Sequence, residues 1–400
     1  MGEDKPVLLR AIHKLLEAGL HLERRIEPLF GMRRAFDATL RESLAKLIQS
    51  QINKRRKDEG LGLAEERLLP DEEKYVQAII DEMAAQMRNH FRPARYERGG
   101  NTKTHGLVRG TFTVRDDVPS HMRHGIFATP RGFPAWVRYS GPGPTVPDDI
   151  DDVGFGSMTI KLMGVEGPKL LDDEKFTQDL LCVCTPTFVT PDAKANARLQ
   201  YWSTREMPIY YFWDPRDHHI LDFFMQALWN ETQHNPLGQY YYSCVPYLLG
   251  EGQAMQYAFY PKTKVPMKIP GLPFRVPPNY LHDNMVKTLN EQDVEFDIMV
   301  QVQTDPFLMP IENAAVLWPE KLSPRVPVAR LHIPRQKFDS PCQIAFADNL
   351  VYNPWHCLPE HRPLGNQSRT RLRLYRTLSE LRLRMNCKPH IEPTGDEVFD

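Results

Sequence analysis

Apolar positions near the start of the chain recur at helical spacing. Leu8, Leu9, Ile12, Leu15, Leu16, Leu20 and Leu22 repeat with charges between them, which predicts helix over residues 6–57. Residues 58–69 read as a linker. A second helix is expected from Asp71, whose carboxylate suits an N-cap, to Phe91, ahead of Pro93. From residue 106 the pattern shortens into segments rich in aromatic and β-branched residues, punctuated by Gly and Pro. Eight strands are expected, at 107–114, 135–139, 157–163, 180–189, 239–248, 255–260, 294–302 and 326–333. Helical patterns interrupt them at 192–206 and 216–231, and a long one spans 366–385, with Asn366 placed to cap it. The stretch 261–279 holds six prolines and suits neither helix nor central strand. Together these elements predict an α+β protein, an eight-stranded antiparallel β-barrel with flanking helices. A helical arm (1–95) precedes the barrel and its C-terminal helix (96–386), and a loose tail follows (387–400).

Composition narrows the classes. The chain has 400 residues, 41% hydrophobic and 25% charged, the profile of an ordinary globular protein. A net charge of −1 gives the molecule as a whole no attraction for nucleic acid, and none is expected as a partner. No run approaches the ~18 apolar residues of a membrane helix. The start, MGEDKP, lacks the apolar core of a secretion signal, and Pro6 stands where a myristoylation signal needs Ser or Thr. A cytoplasmic location is the expectation. Of the six cysteines only Cys182 and Cys184 lie close together, and no second pair completes a zinc site, so the thiols read as reduced. For the helical arm, packing on the body, membrane-surface association and a homo-oligomer contact all stay open.

The segment NQSRTRLRLYRTLSELRLRM carries the most chemistry. At helical spacing Arg371, Tyr375, Leu378 and Arg382 share one face. A guanidinium one turn from a phenol can donate to its oxygen and favour phenolate, the anionic oxygen that ferric iron accepts as a ligand. Arg382 could pair with a carboxylate bidentately. Taken alone, the same pattern is more often that of a solvated basic helix or one facing an acidic partner. Histidine at 105, where the first strand opens, could exchange a proton with a peroxide oxygen, although one His among 14 is more often structural.

Arg371-Leu-Arg-Leu-Tyr375 with Arg382 resembles the proximal signature of haem catalases. Asn353-Pro-Trp-His-Cys-Leu-Pro-Glu-His-Arg-Pro-Leu-Gly365 is similar to the catalase-related branch that includes allene oxide synthases. The resemblance covers residues 96–386. It implies a noncovalent haem b with ferric iron, Tyr375 as the metal ligand, and Arg371 keeping that ligand anionic. Arg138 and Arg382 would hold the propionates, with help from Lys103. His105 would be the distal acid/base, with Thr104 beside it where catalases have valine. Arg138-Tyr139-Ser140 resembles the strand in which the serine orients that histidine. The distal asparagine of the family falls on Cys184 here, with Val183 as the next position. A thiol is a weak donor, so Cys184 is either a catalytic departure or a small buried residue. The implied substrate is an organic hydroperoxide, with a fatty-acid hydroperoxide foremost, and the reaction isomerisation, dehydration or cleavage. A pocket of Phe, Tyr and Leu side chains would suit an acyl chain. The alternatives are a small haem peroxidase, peroxygenase or weak catalase, and a non-catalytic haem-binding or membrane-associated protein. His356-Cys-Leu-Pro-Glu-His361 has the wrong spacing for zinc peptidases, and Pro359 breaks the helix they need.

Overall fold

The computed structural model describes residues 7–152 and 154–399, with side chains from residue 10 onward. The Met-Gly start, Pro6, and the side chains of Leu8 and Leu9 lie outside the described residues.

The arm is three helices rather than one: α1 (Val7–Phe30), α2 (Met32–Thr39) and α3 (Arg41–Arg55). The break after α1 falls at Gly31, whose φ of 60° is left-handed and cannot continue a right-handed helix. Helix α4 (Glu72–His90) follows. Asp71 does not cap it, since that residue is itself left-handed at φ 58° and makes no side-chain cap bond. Instead Glu72 Oε2 accepts the Leu69 amide at 3.0 Å.

The barrel strands are β1 (Thr104–Val114), β2 (Gly132–Ser140), β3 (Ser157–Met163), β4 (Thr177–Val183), β5 (Tyr241–Tyr242), β6 (Tyr247–Leu248), β7 (Ala254–Pro261), β8 (Val294–Val302) and β9 (Val326–Ile333). All pairings are antiparallel, and the order β5-β4-β3-β2-β1-β9-β8-β7 closes through a β5–β7 pairing into an eight-stranded ring, with β6 added beside β7. The expected strand 239–248 is two short pieces, because Cys244 turns the chain at φ 58°. Helices α5 (Ala193–Ser203), α6 (Tyr210–Trp213), α7 (Ile220–Ala227), α8 (Tyr280–Glu291), α9 (Pro341–Asn349) and α10 (Asn366–Met385) pack around it.

Alternation decides what fills the bore. Phe112, Phe133, Tyr139, Tyr241, Tyr257, Phe259 and Phe296 all point inward and are buried in one cluster. These aromatic side chains are therefore core, and an acyl chain must find its place outside the ring. Asn366 does not cap α10. Its side chain accepts the Ala193 amide (2.9 Å) and donates to the Glu312 carbonyl (2.8 Å), tying the helix start to two loops. The tail is packed rather than loose: Glu397 accepts from Trp136 Nε1 (2.9 Å), the Gly395 carbonyl accepts from Arg109 (2.8 Å), and Phe399 lies 5.8 Å from the Trp136 ring.

Candidate functional site

At one end of the barrel the strands bring four positions into line. Thr104 pairs with Ser140, Ser140 with Ser157, and Ser157 with Val183. Tyr139, Met158 and Cys182 point into the core, so Arg138, Ser140, Ser157 and Val183 share the outer face. Cys184, one residue further, turns back into the core. Its Sγ lies 3.8 Å from Gln233 Oε1, and burial pushes its thiol pKa up. The structure thus separates Cys184 from the outer face and puts Val183 there.

His105 sits at an irregularity in the β1–β2 register. It is 3% exposed, its carbonyl accepts from His282 Nδ1 at 2.7 Å, and its own Nδ1 has no hydrogen-bond partner. Asp149 Oδ1 is 3.7 Å from that nitrogen. Burial, and then the positive charges of Lys103 and Arg138, lower its pKa to about 3, so the imidazole is neutral. Gly141 lies beside it: a side-chain carbon there would run into the Asp152 carboxylate and stand 3.6 Å from His105 Nε2.

Lys103 is otherwise engaged than the resemblance implied. Its ammonium pairs with Asp149 at 2.7 Å and donates to the carbonyls of Pro147 and Pro278, also at 2.7 Å. Three donors meet three acceptors, and Lys103 braces two loops instead of facing a ligand. Ser140 also departs: its hydroxyl accepts from Arg138 Nη1 (3.0 Å) and shares a hydrogen with Ser157 Oγ (2.6 Å), with no bond to His105.

Arg138 is 1% exposed and holds the start of β1 through Thr104 Oγ1 (2.8 Å) and the carbonyls of Asn101 (2.8 Å) and Thr102 (3.2 Å). Thr104 Oγ1 in turn donates to Asp348 (3.3 Å). Arg382 reaches the same place from α10, donating to the carbonyls of Asp348 and Leu350. Arg98, which the motifs did not single out, donates to the carbonyls of Ala347 and Leu350 at 2.8 Å. Three guanidinium groups therefore converge, and the carboxylates among them are Asp348 and Glu97. Burial, and then Arg98, lower the pKa of Arg382 to about 9. Arg98 Nη1 and Arg382 Nε are buried with no acceptor. A cluster short of negative charge, with idle N–H groups, fits added carboxylates.

On α10, Arg371 Nη2 donates to Tyr375 Oη at 3.3 Å, with the guanidinium 5.3 Å from the ring centre. Burial opposes the charge on Arg371, yet Tyr375 and Tyr247 hold its pKa above the ordinary value. The loop ahead of the helix ties α10 to the barrel's outer face. Asn353 N donates to Asp179 Oδ2 (2.8 Å), Asn353 Nδ2 to the Leu372 carbonyl (3.4 Å), and Trp355 Nε1 to the Ser368 carbonyl (2.8 Å).

Against solved structures, the chain is similar to catalase A from Saccharomyces cerevisiae, with a TM-score of 0.60 and 13% identity over 86% of this chain and 72% of that one. A fungal catalase gives a TM-score of 0.59 and 15% identity over 79% of this chain, and this chain spans 65% of that catalase's length. A bacterial catalase gives 0.53 and 14% identity, with coverages of 86% and 70%. The fold is catalase-like. No family model and no curated protein matches the sequence.

The catalase-like barrel also holds a buried ionic cluster on its outer face. Lys161 Nζ pairs with Glu174 and, at 2.8 Å, with Asp179, all three side chains having 0% exposure. His356 joins through Asp179 (2.9 Å) and Asp173 (3.1 Å), and His390 meets Glu174 at 3.1 Å. Ligand atoms of Glu174, Asp179 and His356 lie within 4.8 Å of one another, a spacing that could suit a metal. The ammonium of Lys161 already supplies a positive charge to both carboxylates, and both ring nitrogens of His356 are engaged. The cluster is therefore a charge-balanced part of the core. His361, the other histidine of the motif set aside above, accepts the Ile126 amide at 3.0 Å in a separate place. Among the described residues no helix is long and apolar enough to cross a membrane.

Proposed function

We propose that the protein is a haem enzyme acting on organic hydroperoxides, fatty-acid hydroperoxides foremost, by isomerisation, dehydration or cleavage. The observation that carries this reading is the Arg371–Tyr375 pair on α10, in a chain whose fold is catalase-like. The three-guanidinium cluster lies about two helical turns further along α10, on the order of 10 Å. It supports a cofactor that presents carboxylates at a distance from its metal.

Haem b, when bound, supplies the iron chemistry that breaks the O–O bond. Tyr375 would ligate the ferric iron through Oη, and Arg371 would hold that oxygen anionic. Arg138, Arg382 and Arg98 would neutralise the propionates. His105, neutral and buried, would take the hydroperoxide proton and return it to the leaving oxygen. Its low pKa makes the protonated form short-lived, and Asp149 is near enough to ease its charge. Thr104, spent between Arg138 and Asp348, would set the position of the strand rather than bind peroxide.

The outer face supports an organic substrate. Val183, which would stand there for the family's distal asparagine, has no donor with which to hold hydrogen peroxide. A small peroxidase, peroxygenase or weak catalase is the second reading, favoured by His105 standing at the opening of β1 in a catalase-like frame.

The absorption spectrum of purified, haem-supplemented protein tests the cofactor: a strong haem band with tyrosinate character is expected, and its absence ends the proposal. His105→Ala is expected to keep the band and lose hydroperoxide turnover by roughly 10²–10⁴-fold; full activity removes His105 from the mechanism. Fatty-acid hydroperoxides consumed without added reductant favour the isomerase reading, and a strict reductant requirement favours the peroxidase. A haem band with no peroxide consumed leaves a non-catalytic haem protein. A further pair separates the two distal candidates. Val183→Asn is expected to raise hydrogen peroxide dismutation, whereas Cys184→Asn, which buries an amide in the core, is expected to cost about 1–3 kcal/mol of stability with no such gain. A gain from Cys184→Asn alone would reverse the assignment of faces.

A further inference from the structure

Helix α1 is mounted with its polar side inward. His13, Arg24 and Glu27 are buried against the body. Arg25 donates to Asp151 at 2.5 Å and His21 lies 3.4 Å from the same carboxylate, while the Arg24 carbonyl accepts from Thr232 at 2.9 Å. On the opposite side Ile12, Leu15, Leu22, Ile26, Leu29 and Phe30 fall in one arc of about 100° at 3.6 residues per turn. All six are exposed, Leu15 at 74% and Phe30 at 70%. Scattered surface leucines need no explanation, but a continuous apolar face on one helix does. The body does not cover it, because the body holds the other face.

A second feature adjoins it. Thr232 meets α1, and the next residues carry the proline-rich loop 261–279: His234 Nδ1 donates to the Met267 carbonyl (2.9 Å) and Asn235 Nδ2 to that of Pro266 (3.1 Å). This loop has Lys262, Lys264, Lys268 and Arg275, all exposed, and no Asp or Glu. Lys262 is paired with Asp297 at 3.2 Å. At the loop's tip Phe274 is 92% exposed beside Arg275. A chain with a net charge of −1 thus carries a run of positive charge without Asp or Glu in a loop held close to helix α1.

We propose that α1 and the loop 261–279 dock the protein on an anionic lipid bilayer. Helix α1 lies in the plane of the interface with its leucines among the acyl chains, and the lysines and Arg275 meet headgroup phosphates. The aliphatic face and the adjoining cations are the two halves of such a contact. A second copy seated on the same patch about a twofold axis would instead bring like-charged loops together. This inference does not depend on haem.

The full-length protein is sedimented with vesicles of pure phosphatidylcholine and of equimolar phosphatidylcholine and phosphatidylglycerol. It is expected to bind the mixed vesicles, and more weakly as salt is raised. Leu15→Ser/Leu22→Ser/Leu29→Ser is expected to lower binding to both kinds by at least about tenfold, with an unchanged circular-dichroism melt. Lys264→Glu/Lys268→Glu/Arg275→Glu is expected to abolish the preference for phosphatidylglycerol. Wild-type protein that stays in solution with both vesicles overturns the proposal. So does light scattering that shows a wild-type dimer converted to monomer by the triple serine variant, which would assign the face to a second copy.

Discussion

Tyr375→Phe is expected to yield folded protein that does not retain haem. The phenyl ring keeps the packing of α10 against α4, where Tyr375 lies beside the Leu374, Leu378 and Leu381 cluster. What disappears is the oxygen, which is both the proposed iron ligand and the acceptor of the Arg371 guanidinium. Removing a group that only supports a metal ligand typically costs roughly 10–100-fold in affinity, and Arg371→Leu should fall in that range. Loss of the ligand itself should exceed it. Haem content per polypeptide after reconstitution, read beside the far-ultraviolet circular dichroism, checks the result. Equal haem content with an unaltered spectrum in Tyr375→Phe would remove this tyrosine from the iron.

Lys161→Met should produce the largest loss of stability of any single change considered. It leaves the carboxylates of Glu174 and Asp179, both at 0% exposure, without the cation they share. Breaking a buried ion pair from one side costs roughly 3–5 kcal/mol, because the remaining charge stays desolvated. Urea denaturation of the two proteins measures this, and a difference under about 1 kcal/mol would mean that water or His356 compensates. The cluster also gives stability a pH dependence. Burial alone would lower the pKa of His356, but Asp173 and Asp179 raise it from 6.5 to about 9. A raised folded pKa contributes stability that is fully present below 6.5 and is lost as pH climbs through 9. Burial would raise the pKa of Glu174, but Lys161, His390 and His356 together outweigh it and hold the carboxyl well below its ordinary value. That contribution is present above the usual carboxyl range and fades in acid. Stability should therefore decline between about pH 6.5 and 9 in the wild type, and His356→Gln should flatten that limb.

The barrel was legible because its strands announce themselves. The bounds 157–163, 294–302 and 326–333 agree with β3, β8 and β9 to the residue, each being a run of apolar and β-branched positions between Gly, Pro or charged punctuation. Helices α8 and α9 were not expected. One follows directly on the proline-rich stretch, and the other has nine residues with no clear apolar stripe. The Arg371–Tyr375 pair was legible because the two residues are four apart on one helix. The guanidinium cluster was only half legible, since Arg98, Arg138 and Arg382 meet through the fold and not through any local spacing. Of the two readings of Cys184 the structure fits the small buried residue, and the surroundings of Lys103 were not legible. In a strand a one-residue shift exchanges core for surface, so Val183 rather than Cys184 faces outward. The partners of Lys103 are the Asp149 carboxylate and the carbonyls at 147 and 278, which nothing in its own neighbourhood foretells.

The docking of residues 390–399 has a consequence for how the protein is made. Trp136, Arg109 and Glu174 belong to the first half of the chain, yet each waits for a partner from the far end. A nascent polypeptide carrying every strand and α10 would still lack the acceptors of the Trp136 indole N–H and of the Arg109 Nη1, and the His390 partner of Glu174. Co-translational folding of this barrel is thus completed only when the acidic segment 390–399 has emerged and is laid against β1, β2 and the loop ahead of β4.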